Sequence, residues 1–220
     1  THVTVGAHPR TIHDFRGFPD ELFAMQYPAP GSDELVARIE ELLGPDRVTR
    51  DDSWGFDHGS WGVILPMYPA ADIPLVQLSL DRALEADAHI ALGRALAPLR
   101  DEGVLIVGSG NVIHNLALWR QYAGTQPEWA VEFQRRINAA VIADDHAALT
   151  RLAPDDQAAA AAINSAEHYL PLFYVVGARL PGDTVGTFND TVSGALSMTS
   201  YVIGDTAALA ASPDLEIQTA

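Results

Sequence analysis

The sequence predicts an α/β domain in three layers, with a central, mostly parallel or mixed sheet and helices on both faces. Two apolar runs carry this reading, Ile73 to Leu80 (IPLVQLSL) and Val104 to Val107 (VLIV). Both have the continuous apolar character of strands buried on two sides. Helical patterns separate and follow them, and strands that alternate with helices pack as layers. With 220 residues, 48% of them hydrophobic and 19% charged, the chain can bury one sizeable core. A single domain over residues 1–220 is expected, without internal repeat or linker.

Each element has a local reason. Thr1 to Gly6 alternates as a strand does. A domain that opens inside a strand looks cut. Thr11 to Gly31, rich in Pro, Gly and aromatic residues, reads as an ordered loop. Ser32 is a good N-cap, Asp33 and Glu34 suit a first turn, and Gly44 follows the last apolar position, which predicts a helix over Asp33–Leu43. Arg47 to Arg50 suggests a short strand, Trp54 to Ser60 a glycine-punctuated loop, and Trp61 to Tyr68 a short helix. Leu84 to Arg100 and Glu128 to Leu149 carry helical periodicity. The five alanines Ala158 to Ala162 read as a surface helix, and Glu167 to Val176 as an apolar one. Ser193 to Gly204 alternates as a strand, and the tail from Asp205 is expected to fray.

Charge and composition exclude several function classes. The net charge is −16, and all 13 basic residues are Arg. Nucleic-acid binding needs a cationic footprint, and an anionic membrane would repel this chain. No apolar run has the length of a membrane span, and the opening THVTVGAHPR lacks the basic and apolar regions of a signal peptide. A soluble, cytoplasmic protein is expected. There is no cysteine, which removes disulfides, thiolate metal sites and a Cys nucleophile.

Eight histidines are the chemical resource. His2, His8, His89 and His146 sit in polar or alanine-rich surroundings and read as solvated surface residues. His58 lies in Asp57-His58-Gly59, where a neighbouring Asp can set the imidazole tautomer and a Gly admits a ligand. Capping of the following helix is the plainer alternative. His114 follows the loop Gly108-Ser109-Gly110-Asn111 at the end of an expected buried strand, where α/β folds bind ligands. That loop fails the dinucleotide pattern, because its third glycine would fall at Ile113, and it fails the serine nucleophile elbow. His168 lies in Glu167-His168-Tyr169-Leu170-Pro171, at the mouth of an apolar helix, and His13 repeats a His–Asp adjacency in a loop. Four histidines in four loops or element ends are the distribution expected of a site that the fold assembles. Neutral imidazole binds iron, zinc or copper, and a free imidazole carries protons near neutral pH.

The strings TIHDFRGFP, YPAPGS, WGFDHGSWGVILPMYPAADIPLVQLSL, GSGNVIHNL and EHYLPLFYVVGA resemble the class III extradiol ring-cleaving dioxygenases, nearest to the 4,5-DOPA extradiol dioxygenase-like branch. The matches run in order from Val3 to Gly204, with Asp144 to Ser165 outside them. The resemblance implies a mononuclear non-haem metal, Fe(II) for activity, that binds a small catechol and dioxygen side by side. Zinc outcompetes iron(II) at nitrogen ligands, so purified protein can hold Zn(II) instead. It further implies that His168 and His114 are metal ligands, that His58 and His114 move protons, and that His13 lines the substrate pocket. Glu167, the neighbour of His168, is the alternative inward-facing group. The family pattern also has a His-Gly-Ser-Pro and a Ser-Ala-His-Trp motif at the ends of two strands before this stretch. Neither is present in the chain, and a catalytic-type domain lacking its N-terminal strands is expected.

The leading expectation is thus an extradiol dioxygenase whose imidazoles converge on one ion. A non-catalytic domain that has lost its metal is the alternative, and a metal-assisted hydrolase ranks last. The specific catechol and the oligomeric state stay open, with Arg16 and Arg120 as local candidates to clamp a substrate carboxylate.

Overall fold

The computed structural model describes residues 1–153, 155–211 and 216–218. The chain is α/β, as its sequence predicts, and it divides into two compact units, Thr1–Asp81 and Arg82–Ala220.

In the first unit, β1 (His2–Thr4) opens the chain, followed by α1 (Asp20–Ala24), α2 (Asp33–Leu43), β2 (Thr49–Asp51) and α3 (His58–Met67). β1 and β2 pair in parallel, with Val3 opposite Arg50. The short α1 lies inside the stretch expected as a loop. Asp20 and Glu21 supply an acidic first turn, but no residue of α1 is buried. α2 has its predicted bounds: the Ser32 hydroxyl accepts from the Leu35 N–H, and Gly44 adopts φ 91° as the helix ends. α3 begins three residues before the predicted Trp61, because Asp57 caps it by accepting from the Ser60 N–H. Tyr27, Ala29, Phe56, Trp61 and Ile64 form the core, with Phe15, Met25 and Leu75 packed against it.

Ile73 to Leu80 is not a full strand. It runs antiparallel beside β1, where the Thr4 N–H donates to the Gln77 carbonyl and the Ser79 N–H to the His2 carbonyl. Pro74 has no N–H, and the Gln77 N–H turns to the Thr4 hydroxyl, so the ladder is broken into isolated contacts.

The second unit opens with α4 (Ala86–Leu96), α5 (Pro98–Asp101), α6 (Leu116–Trp119), α7 (Glu128–Ile142), α8 (His146–Thr150), α9 (Gln157–Ala162) and α10 (Leu170–Gly177). Then come β3 (Asp183–Phe188), β4 (Val192–Ser193), β5 (Leu196–Ser197), β6 (Ser200–Asp205), α11 (Thr206–Ala210) and β7 (Glu216–Gln218). β3 is the centre of an antiparallel sheet in the order β6-β3-β7, and β4 pairs with β5. The single strand expected over Ser193–Gly204 is a tight hairpin turned at Gly194 (φ 61°) and then β6. The helix expected over Glu128–Leu149 is two helices. Asp144 takes the left-handed region at φ 56°, and Asp145 caps α8 by accepting from the Ala148 N–H. The tail expected to fray begins as α11, where the Asp205 carboxylate accepts from the Ala207 N–H; its residues 212–215 and 219–220 lie outside those described.

Val104 to Val107 pairs with no strand among the described residues. Leu105 is 61% and Val107 43% exposed. A β-prone run becomes a strand only when a neighbour takes its hydrogen bonds. The polyalanine helix is not purely surface: Ala159 and Ala162, three apart on α9, are buried. His89, expected on the surface, is fully buried on α4, with Nδ1 3.1 Å from the Tyr174 hydroxyl of α10. Among the described residues, no helix is long and apolar enough to cross a membrane.

α4 and α10 cross at two glycines. A Cβ at Gly93 would lie 2.3 Å from the Tyr174 carbonyl oxygen, and one at Gly177 2.3 Å from that of Ile90. Arg100 pins the end of the pair to the sheet: it forks onto Asp183, whose side chain is 8% exposed, and reaches the Ala178 carbonyl at 2.9 Å. Burial alone would raise the Asp183 carboxyl, but the Arg100 guanidinium and the Leu180 N–H hold it below the usual carboxylate range.

Gly93→Ala is expected to destabilise the protein by about 1–3 kcal/mol, because backbone must move to admit the methyl group. Gly62→Ala, on α3 with nothing within 4 Å, is expected to stabilise it by about 0.5–1 kcal/mol. Denaturant titration of the two variants measures the contrast. Arg100→Met is expected to cost about 3 kcal/mol, since it leaves Asp183 buried without its partner. The stabilisation from this pair is full above the ordinary carboxylate value and is lost as pH falls through the lower folded value. Unfolding free energies measured down to pH 3 should therefore fall less steeply in Arg100→Met than in the parent.

Candidate functional site

Each unit holds two of the four histidines that the sequence singles out. In the first unit, residues Arg10 to Ile12 run alongside Gly55 and Phe56. The Phe56 N–H donates to the Arg10 carbonyl and the Ile12 N–H to the Phe56 carbonyl, at 2.9 and 2.7 Å. Only glycine permits this approach at position 55, where a Cβ would sit 2.0 Å from the Arg10 oxygen. The Trp61 indole N–H, donating to the Ile12 carbonyl at 2.9 Å, ties the same strip to α3.

That strip carries Asp14 to His58. The Asp14 Oδ1 accepts from the His58 ring at Nδ1, 2.7 Å away, and from the His58 backbone N–H at 3.2 Å. Burial would raise the Asp14 carboxyl, yet these two donors hold it below the usual carboxylate range. Asp57, the sequence neighbour expected to set the imidazole tautomer, does not touch the ring. It turns back to the Ser60 N–H at 3.1 Å and the Gln77 amide at 2.6 Å. An N-cap side chain folds over the helix end, while the ring of the next residue points away from it. Asp14 is the residue that sequence reasoning misses in this role, although it adjoins His13 in one of the strings that carry the resemblance. His13 donates from Nε2 to the Met25 carbonyl at 2.9 Å. Its ring lies 5.7 Å from Trp61 and 5.9 Å from Phe15, and Phe15 also meets the His58 ring edge-on at 5.6 Å. His13 and His58 thus flank one aromatic wall, of which Phe18 and Phe23 are the exposed members.

In the second unit, His114 and His168 meet face to face. Their ring centroids are 3.5 Å apart and their planes 14° from parallel. The glycines of the preceding loop explain the approach. A Cβ at Gly110 would lie 2.1 Å from the His168 carbonyl oxygen, and one at Gly108 2.5 Å from that of Pro171. The Asn111 N–H donates to the His168 carbonyl at 2.8 Å, and the Asn111 amide to the Ser197 carbonyl at 2.6 Å. His114 bridges Ile163 on one side and Leu196 on the other. His168 ends a single 3₁₀ turn, Ala166–His168, because Pro171 opens α10 just beyond it. Glu167, its neighbour, is held by the Ser165 hydroxyl at 2.7 Å. Loss of water opposes charge on Glu167, but that hydroxyl, the backbone, the His168 ring and the Arg82 guanidinium bring its carboxyl below the usual range. Burial lowers the His114 imidazole against the pull of Glu167, so its neutral form is favoured.

Neutral imidazoles are the donors a first-row metal takes. His114 and His168 are donors of that kind, but stacked face to face they hold their nitrogen lone pairs in nearly parallel planes and do not converge on one ion. Among the described residues no group of three or more His, Asp or Glu side chains is gathered to hold a metal.

Comparison with known proteins covers nearly the whole chain. Residues 1–203 match the family described as the catalytic LigB subunit of aromatic ring-opening dioxygenase. A 4,5-DOPA dioxygenase extradiol from Escherichia coli is 44% identical over 93% of this chain and 77% of its own length. Its namesake from Portulaca grandiflora is 40% identical over 80% of this chain and 66% of its own. A crystal structure of an uncharacterized Escherichia coli protein superposes with a TM-score of 0.76 at 40% identity, covering 91% of this chain and 79% of that one. The two named dioxygenases are of the branch that the motifs resemble, and the chain belongs to the LigB family of aromatic ring-opening dioxygenase catalytic subunits.

Proposed function

We propose that the protein opens the ring of a small, DOPA-like catechol with dioxygen, at a bond next to the diol, in a reaction that depends on a non-haem metal. The observation that carries this reading is the match of residues 1–203 to the catalytic subunit of aromatic ring-opening dioxygenase; the glycine-dependent packing that brings His114 and His168 together supports it. Two relatives whose names specify DOPA and extradiol cleavage support the substrate class.

By the family resemblance, His114 and His168 would supply imidazole nitrogens to the metal, Fe(II) in the active protein, with their rings turned out of the stack and the rest of the donor set coming from other groups. The bound metal would bring catechol and dioxygen together and let electrons pass between them, which spin otherwise hinders. His58 takes the proton of a diol hydroxyl and returns it to oxygen as the ring opens. His114, kept neutral by burial, is a second proton carrier. His13 contributes to the apolar wall against the aromatic ring, with its Nε2 already committed to Met25.

Iron-loaded protein should consume oxygen and form a yellow ring-opened product with at least one of DOPA, catechol or protocatechuate. Silence across that panel, at full iron occupancy, overturns the reading. His168→Ala should weaken metal binding by more than about 100-fold, beyond the usual loss from removing a group that merely orients a ligand. Equilibrium dialysis against Fe(II) or Zn(II) reads this without turnover. His58→Gln should leave metal binding unchanged and lower kcat by about 10²–10⁴-fold. In His114→Ala, lost metal assigns that residue to the ion, whereas kept metal with lost turnover assigns it to proton transfer.

A further inference from the structure

Asp14 stands 44 residues from His58 in sequence and touches it twice, at the ring and at the backbone. One carboxylate oxygen serves both contacts. The backbone contact fixes where the carboxylate sits, because it satisfies the first N–H of the ten-residue helix α3, a donor without a partner inside its own helix. The carboxylate is therefore anchored independently of the ring it meets. Phe15, next in the chain, closes one side of the imidazole edge-on at 5.6 Å. The His58 side chain is otherwise half-exposed, at 49%.

A carboxylate can only accept a hydrogen bond, so the proton in the 2.7 Å contact belongs to Nδ1 of His58. In the neutral ring Nε2 is then bare. We infer that Asp14 is the positioning residue of His58, fixing the tautomer in which Nε2 faces outward as a proton acceptor. Asp57 cannot share this work, because its two oxygens are spent on Ser60 and Gln77. His13, from the same loop, presents its aromatic-packed ring elsewhere and spends Nε2 on the Met25 carbonyl. Asp14 is thus the charged group that meets the His58 imidazole among the contacts of that loop and of α3. The consequence for turnover rests on the ring-opening reading above; the tautomer does not.

The test is nitrogen-15 NMR of the histidine rings in the intact protein, at a pH where His58 is neutral, in the parent, Asp14→Asn and Asp14→Ala. The parent should show His58 protonated at Nδ1. Asp14→Asn keeps an acceptor oxygen and should keep that tautomer, while Asp14→Ala should shift the ring toward protonation at Nε2. Protonation of the parent at Nε2, or one tautomer shared by the parent and Asp14→Ala, overturns the inference. Should Asp14→Ala fail to fold, the parent spectrum still decides it. Activity adds a second readout. Asp14→Ala should lower kcat/KM by about 10- to 100-fold with metal content unchanged, part of what general acid–base catalysis supplies. Absence of ring opening in the parent refutes the proposed reaction, while the tautomer read by NMR still decides the role of Asp14.

Discussion

The backbone of residues 108–115 is clamped, and the chemistry of the second unit depends on that clamp. His114 donates its N–H to the Ala162 carbonyl, Asn115 donates to the Ala195 carbonyl, and the Ser197 N–H returns to Ile113. The strip is therefore bonded on both sides, although it belongs to no named strand. Its approach to the start of α10 depends on missing side chains at Gly108 and Gly110. The clamp holds the backbones from which the His114 and His168 rings stack at 3.5 Å. The contact also disfavours charging both rings at once, which agrees with the burial that keeps His114 neutral.

The first unit solves a similar problem with different parts. A glycine at 55 lets the Arg10 strip lie against Phe56, and the strip delivers a carboxylate to His58. In both units a histidine is positioned by a main-chain approach that only glycine allows. The imidazoles can be exposed while the backbone that carries them is held.

Much of this was legible in residue order. Ser32, Asp33 and Gly44 bracketed α2 because capping is local chemistry. The four histidines stood out because each lies at an element end, and the family resemblance followed from strings that include them. What stayed hidden was non-local. Asp57 looked like the partner of His58 because it is adjacent, yet adjacency placed it on the helix end, and Asp14 arrived from across the chain. Val104 to Val107 has the composition of a buried strand, but composition cannot supply the neighbour that would cover Leu105. His89 looked solvated because its sequence neighbours are alanines, whereas α10 covers it. The incomplete donor set, by contrast, was legible: the two further His motifs of the family pattern are absent from the chain, and no third donor is gathered among the described residues.

The uncovered Val104 to Val107 segment has a colloidal consequence. A β-prone, apolar, half-exposed run attracts its own kind. What opposes this is a net charge of −16 on every copy. Mutual repulsion of that sort reaches only about 8–10 Å at ordinary ionic strength and shrinks as salt is added. Concentrated salt, commonly a stabiliser of folded proteins, is therefore expected to drive this one toward self-association.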